Sequence, residues 1–351
     1  MEAIYDKTVL VTGASGFIAT HCLIKLAEAG YKIRGTVRDL SRTKELSRIL
    51  NSTLEGTLGS EQISVDWFEA NLTEDEGWSE AIEGCNYVLH LASPIGLEQD
   101  ADEKAFVIPA KEGTLRVLRE ASKAGVKRIV LTSSIAAISG GIQKTNVPFN
   151  EKDWTDTKSK TNTSYAKSKT LAEQAAWEFI ENDVSGMELS CINPSLVLGP
   201  VLWPDIGPSV DLVRRALKGE IRQAPKINLP IVDVRDVADL HVFAMTSPQA
   251  SGKRFICDSG TLSVPDIIDV LRANFPEYGE RLPKRQAPDW MIRFLSLFSR
   301  DLKQATYYLG KRSKYDSSLA RNTLEWEPRP PGEAVLGSAN SLIKLGLLES
   351  V

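Results

Sequence analysis

The sequence predicts an α/β protein, a doubly wound parallel sheet with a smaller C-terminal lobe, and three observations predict it. Short β-branched runs, "TVLVTG", "KIRGTV", "SVDWFEA", "NYVLHLAS" and "KRIVLTSS", are close to continuously apolar, as strands covered on both faces must be. Helical patterns over 17–29, 42–50 and 103–124 fall between them, and that alternation puts crossover helices on both faces of one sheet. With 42% hydrophobic and 25% charged residues in 351, the composition is globular rather than disordered.

The first strand runs into "VTGASGFIATH", where Gly13, Gly16 and Ala19 form a GxxGxxA turn ahead of an amphipathic helix. Glycines here let backbone N–H groups approach a pyrophosphate, which then lies against the positive end of the helix dipole. The spacing alone would also suit an ordinary tight turn; the strand before it and the helix after it are what point to a dinucleotide. The second strand ends in "RGTVRDLSRTKE", with Arg38 where an NAD-binding chain carries an acid for the ribose hydroxyls. A guanidinium there suits the 2'-phosphate of NADP, although Asp39 follows it. Arg42 and Lys44 fit either a share of that phosphate or a solvated helix start.

The fifth strand, "KRIVLTSS", ends in hydroxyls at the edge where ligands bind such sheets. About thirty residues later comes "SYAKSKTLAEQAAW". Tyr165 and Lys169 are four apart and share a helical face, whereas Lys167 points elsewhere. A phenol titrates near pH 10, and a neighbouring ammonium is expected to lower that, giving a general acid for carbonyl reduction or a base for alcohol oxidation. Tyr307 and Lys311 repeat the spacing in "TYYLGK", so position, not spacing, selects Tyr165.

After "ELSCINPSLVLGP" the alternation gives way to scattered prolines, Pro194, Pro200, Pro204, Pro208, Pro225 and Pro230. We expect a dinucleotide-binding domain over 1–194 with 230–258 rejoining it, because "LPIVDVRDVADLHVFAM" reads as a strand running into a helix. Residues 195–229 and 259–351 make the smaller lobe and a terminal helix striped by Ala334, Leu336, Ala339 and Leu342.

A net charge of −4 offers no footprint for nucleic acid. Cys22, Cys85, Cys191 and Cys257 are dispersed without a CxxC pair and read as buried free thiols, and His21, His90 and His241 are too scattered for a metal cluster. A strand-like run starts too early for a cleavable signal, and no apolar run approaches the roughly twenty residues of a bilayer span. The expectation is a cytoplasmic protein with no membrane contact and no metal; the oligomeric state is open.

The ordered set "VTGASGFIATH", "GTVRD", "EGCNYVLHLASP", "RIVLTSS", "YAKSKTLAEQAAWEF" and "NPSLVLGP" resembles the extended short-chain dehydrogenase/reductases. Within them it is similar to the branch holding plant dihydroflavonol and cinnamoyl-CoA reductases and microbial NADPH-dependent aldehyde and ketone reductases, with a tail closest to the microbial branch. The resemblance implies a Rossmann sheet, NADP(H) as cofactor and a small carbonyl compound as substrate. It makes Tyr165 the proton donor, Lys169 its pKa partner and a ribose ligand, and Ser134 the hydroxyl on the substrate oxygen, with Ser133 adjacent. It implies that Gly13, Ser15, Gly16, Phe17 and Ile18 cradle the pyrophosphate and that Arg38, with Lys44 nearby, meets the 2'-phosphate. Asn71 and Leu72 stand where the family has Asp-Leu beside adenine. Leu91, Ala92, Ser93 and Thr132 at strand ends, and Pro194, Leu196, Val197 and Ser209 beyond, match cofactor positions.

Two departures bear on substrate. The flavonoid enzymes carry an asparagine five residues after the catalytic serine, where this chain has Ser139, and the cinnamoyl-CoA signature NWYCYGK is replaced by "NTSYAKSK". Ile95, Ser139 and Trp203 are expected near the substrate, although a tryptophan in a proline-rich loop also serves as a core plug. The same superfamily holds nucleotide-sugar epimerases and dehydratases, which keep an acid where Arg38 stands and, for dehydratases, an acid pair absent from "TSSIAAISG". A silent NADPH sensor is the alternative outside catalysis, against which the retained tyrosine-lysine pair argues.

Overall fold

The computed structural model describes residues 6–54, 63–93, 103–142, 144, 147–296, 309–310 and 313–348. Its main sheet is built from β1 (Thr8–Thr12), β2 (Lys32–Val37), β3 (Val65–Glu69), β4 (Tyr87–His90), β5 (Arg128–Thr132), β6 (Glu188–Pro194) and, after an excursion, β10 (Lys253–Cys257). The seven strands run parallel in the order β3-β2-β1-β4-β5-β6-β10. Chain order reverses between β1 and β4, and that switch point opens a crevice at the carboxyl ends of the strands. β4 and β5 are buried at every residue, which explains why their sequences are apolar without alternation.

One face of the sheet is covered by α1 (Phe17–Glu28), α2 (Thr43–Leu54) and α8 (Val234–Thr246). The other is covered by α3 (Trp78–Ile82), α4 (Glu103–Lys123) and α6 (Ser164–Asn182). Leu23 and Leu26 of α1 and Leu46 and Leu50 of α2 are almost wholly enclosed. Each such side chain stabilises the fold by about 1.5–3 kcal/mol relative to exposure. A short α5 (Ala136–Ser139) follows β5 directly.

The second core belongs to the smaller lobe. It packs α7 (Pro208–Leu217), α9 (Val264–Asn274) and α12 (Pro331–Lys344) on a three-stranded sheet of β7 (Leu196–Leu198), β9 (Asn228–Asp233) and β11 (Gly260–Ser263). β8 (Ala224–Pro225) and β12 (Gln286–Ala287) form a two-residue ribbon beside it, and α10 (Asp289–Leu295) and α11 (Ser318–Leu324) complete the described helices. β9 does not enter the large sheet: it pairs in parallel with β7 and antiparallel with β11, and only the following α8 and β10 return to the main body. Within this lobe α12 clamps the segment that follows β7, its Ser338 and Ser341 hydroxyls accepting from the Gly199 and Val201 N–H groups at 2.8 Å each. Gly199 has φ +128°, and a Cβ there would lie 2.8 Å from the Val234 side chain, so glycine is required at this junction.

Candidate active site

The crevice is organised by the last residue of β1. Thr12 Oγ1 accepts from the Leu91 and Ala92 N–H groups at 3.1 and 3.0 Å and bonds His90 Nδ1 at 2.8 Å. With both N–H groups donating to it, the Thr12 hydroxyl donates to Nδ1, which assigns the His90 proton to Nε2. Burial, and then the nearby Lys169 ammonium, push the His90 pKa down to about 3, so the ring is neutral. The effect is to hold the 91–93 strand end against the glycine turn.

That turn is shaped by Gly13, at φ +62°, where a Cβ would meet the Ala92 backbone at 3.0 Å. Gly16 caps α1 with extended backbone, without a side-chain cap and with no acid in the first turn. The leading N–H groups of α1 therefore retain their positive end, flanked by Ser15, Phe17 and Ile18. α7 begins similarly, with Gly207 as an uncapped N-cap, proline first and half-buried Ser209 second. An open cradle at a switch point fits the diphosphate of a dinucleotide.

Around the end of β2, Arg38 and Lys44 are exposed. Asp39 is turned to its own loop, accepting from the Ser41 N–H at 2.8 Å, and hydrogen bonds from Ser41 hold its carboxyl below the ordinary range. Arg42 lies over the Trp203 ring at 5.1 Å and pairs with Asp205 at 3.6 Å. Asn71 is also drawn into its own turn: its oxygen accepts from the Thr73 N–H and its amide donates to Glu74. Leu72 sits beneath Gly113 of α4.

At the end of β5 the two serines separate. The Ser133 hydroxyl donates to the Glu173 carboxylate, which is fully buried. The Ser134 hydroxyl accepts the Ala136 N–H at 3.1 Å and lies beside the Tyr165 hydroxyl. Ser134 is thus the less engaged of the two hydroxyls. Thr132 is spent on structure, its hydroxyl bonded to His241 Nε2 at 2.7 Å and its carbonyl accepting from Lys169 Nζ at 3.3 Å. Between β4, β5, α4 and α6 lies a small cleft lined by Ala92, Ser93, Thr114, Thr132, Ser133 and Lys169.

Thr163 caps α6 by accepting from the Ala166 N–H, which places Tyr165 in the first turn and Lys169 one turn deeper. The expected lowering of the Tyr165 pKa by Lys169 is corrected here. Tyr165 is raised above its ordinary value by burial, opposed by the hydrogen bond to Ser134, and Lys169 is not among the groups that set it. Tyr165 is 43% exposed, so solvent moderates this upward push. Lys169 is buried, and its ammonium is spent on the β5 backbone instead of the phenol. Burial lowers its own pKa to about 8, against the pull of Glu173.

The remaining expected positions divide. Pro194 closes β6 and accepts the Ile135 N–H, and Leu196 and Val197 are half-buried in β7. Ser139 shares a 2.7 Å hydrogen bond with the Tyr315 hydroxyl. Trp203 is 7% exposed in the core that also holds α1 and α8, beneath Arg42, which favours the core-plug reading of its two. Ile95, like Tyr307 and Lys311, lies outside the described residues. Glu173, Asn193 and Arg254 were not read from the sequence, although Glu173 continues the Tyr165-Lys169 spacing by another four.

Residues 9–257 match the model of the NAD dependent epimerase/dehydratase family. The chain belongs to that family. It is 34% identical over 288 residues to cinnamoyl-CoA reductase CAD2 of Medicago truncatula, covering 81% of this chain and 85% of the relative. It is 31% identical to dihydroflavonol 4-reductase of Zea mays, covering 89% and 87%. The yeast methylglyoxal/isovaleraldehyde reductase Gre2, solved with NADPH, superposes with a TM-score of 0.76 at 25% identity over 97% of this chain and 100% of that one. The Gre2 structure shares the Rossmann sheet found here. Among the described residues no helix is long and apolar enough to cross a membrane.

Proposed function

We propose that this protein reduces a small aldehyde or ketone to the alcohol with NADPH. The observation that carries this reading is the meeting of the Ser134 and Tyr165 hydroxyls at the sheet edge that also bears the open glycine cradle. When bound, NADPH supplies the hydride. Gly13, Ser15, Gly16, Phe17, Ile18 and Ser209 hold its diphosphate, Arg38 with Lys44 its 2'-phosphate, and Leu91, Ala92, Ser93, Pro194, Leu196 and Val197 its remaining length. Ser134 hydrogen-bonds the substrate oxygen. Tyr165, whose raised pKa keeps the phenol protonated at neutral pH, donates its proton as negative charge develops on that oxygen. Lys169 fixes the Thr132 carbonyl at the floor of the site.

Support for the substrate class comes from two sides. The structural relative is named for small aldehydes. At Ser139 the hydroxyl is already bonded to Tyr315 and to the Ile135 carbonyl, which leaves little there to grip a polyphenol. The reading assigns cofactor binding to residues 1–194 with 230–258, substrate binding to 195–229 and 259–351, and a cytoplasmic location. Tyr165→Phe should leave the NADPH dissociation constant within about threefold and lower kcat by at least about a hundredfold, the scale of one positioned proton donor. Loss of nicotinamide absorbance against a panel of aldehydes and ketones checks it, and retained turnover in the variant would overturn the reading.

A further inference from the structure

Beneath the serines lies a buried ionic network that the proposed chemistry does not use. Glu173 is fully buried and accepts the Ser133 hydroxyl, Asn193 Nδ2 at 2.9 Å, Arg254 through both Nε at 2.6 Å and Nη2 at 3.3 Å and, more weakly, Trp177 Nε1 at 3.4 Å. Arg254 is itself enclosed, stacked on Trp154 at 3.6 Å, with Nη1 donating to the Glu151 and Asp153 carbonyls. Asn193 spends its second N–H on the Ser134 carbonyl at 3.1 Å. The carboxylate therefore grips both sides of the Ser133-Ser134 peptide, one directly and one through Asn193. Tyr165, Lys169 and Glu173 follow at successive four-residue steps on α6, so the same carboxylate lies one turn below the ammonium.

A buried charge pair is costly to desolvate, and apolar residues of similar volume would give a stable core as readily. Its presence under the reacting hydroxyls calls for a role in placement. We propose that Glu173, anchored by Arg254, is a positioning residue that fixes the Ser134 peptide and holds Lys169 protonated from beneath. This rests on the reductase reading for its effect on turnover, but its effect on Lys169 does not.

The groups facing Lys169 and Glu173 are Tyr165 on the same helix, His90 of β4, Cys191 of β6, Arg254 of β10 and Glu151 in the loop against it. Burial keeps His90 neutral, and Cys191 is raised far out of range, first by burial and then by Glu173. Burial draws the Lys169 pKa down to about 8, and Glu173 is the group opposing it. Removing the carboxylate should let Lys169 lose its proton at lower pH.

The test compares Glu173→Gln, which keeps the shape but exchanges one acceptor oxygen for an amide donor, with Glu173→Gln/Arg254→Leu, which leaves no lone buried cation if the single variant folds poorly. Lys169 is titrated in the apo protein by NMR of reductively methylated lysines, its signal assigned by its absence in Lys169→Arg. Kinetics with NADPH and an accepted aldehyde run alongside, with NADPH affinity from fluorescence. The expected result is a Lys169 titration moved down by about one unit or more, a matching shift of the alkaline limb of kcat, kcat lowered tenfold or more and KM changed less than threefold. A folded variant with unmoved Lys169 titration and unchanged kcat would overturn the proposal. A moved titration in a protein whose wild type reduces no carbonyl would instead remove the reductase reading and leave the network's hold on Lys169 standing.

Discussion

Arg38 makes no hydrogen bond or ion pair among the described residues, which leaves a full guanidinium at the end of β2 for an anionic partner. A charge-assisted hydrogen bond contributes about 1.5–3 kcal/mol. Arg38→Ala should therefore lower kcat/KM for NADPH by roughly tenfold to a hundredfold, leave NADH nearly unaffected, and show a smaller penalty at high salt, where an exposed pair is screened. Equal losses with both cofactors would place the phosphate elsewhere. The exposed place of Arg38 at the end of β2 was legible, because a strand end is set by the local pattern. Tyr165 was legible in place but not in acidity. Sequence spacing gives a shared helical face, yet it does not say that Lys169 reaches the Thr132 carbonyl first. For Trp203 it left pocket wall and core plug both open, since a loop has no period from which to infer which way a ring turns.

At the scale of elements, the glycine turn and α1 were readable because their requirements are local. Gly13 needs φ +62° and contact with Ala92, and no other residue meets both. Gly13→Ala should strain the backbone by about 1 kcal/mol or more and push the 91–93 strand end out of line. We expect a lowered Tm in the apo protein and NADPH affinity reduced at least tenfold, read by fluorescence titration; an unchanged affinity would mean that the turn does not carry the cofactor. α12 was predicted in extent, but its buried stripe includes Val335, with Leu336 only half-covered. Choosing between neighbours in a helix depends on the angle at which it docks. β9 escaped for a related reason: its apolar run suits either sheet, and only its partners β7 and β11 decide.

The whole molecule closes around Asp258, which follows β10 of the large sheet and leads into β11 of the small one. Its carboxyl is 6% exposed, and burial raises its pKa to about 7, against hydrogen bonding from Ser195 and the charge of Arg321 in α11. A carboxyl whose folded pKa lies above its unfolded value favours folding while protonated. That stability is complete below about pH 4 and is lost as pH rises to about 7, a change of a few kcal/mol at about 1.4 kcal/mol per unit. Asp258→Asn, neutral throughout, should therefore gain on the wild type with rising pH, so the difference in Tm is larger at pH 8 than at pH 5. A pH-independent difference would show that the acid is not buried as an acid.

The serine clamp of α12 also has a bearing on how the molecule is made. Ser338 and Gly199 are 139 residues apart, so at roughly 5–20 residues per second a ribosome needs on the order of ten seconds to deliver the second after the first. Throughout that interval the 199–201 segment lacks its serine clamp, and α8 and β10, which complete the large sheet, are made before the clamp can close.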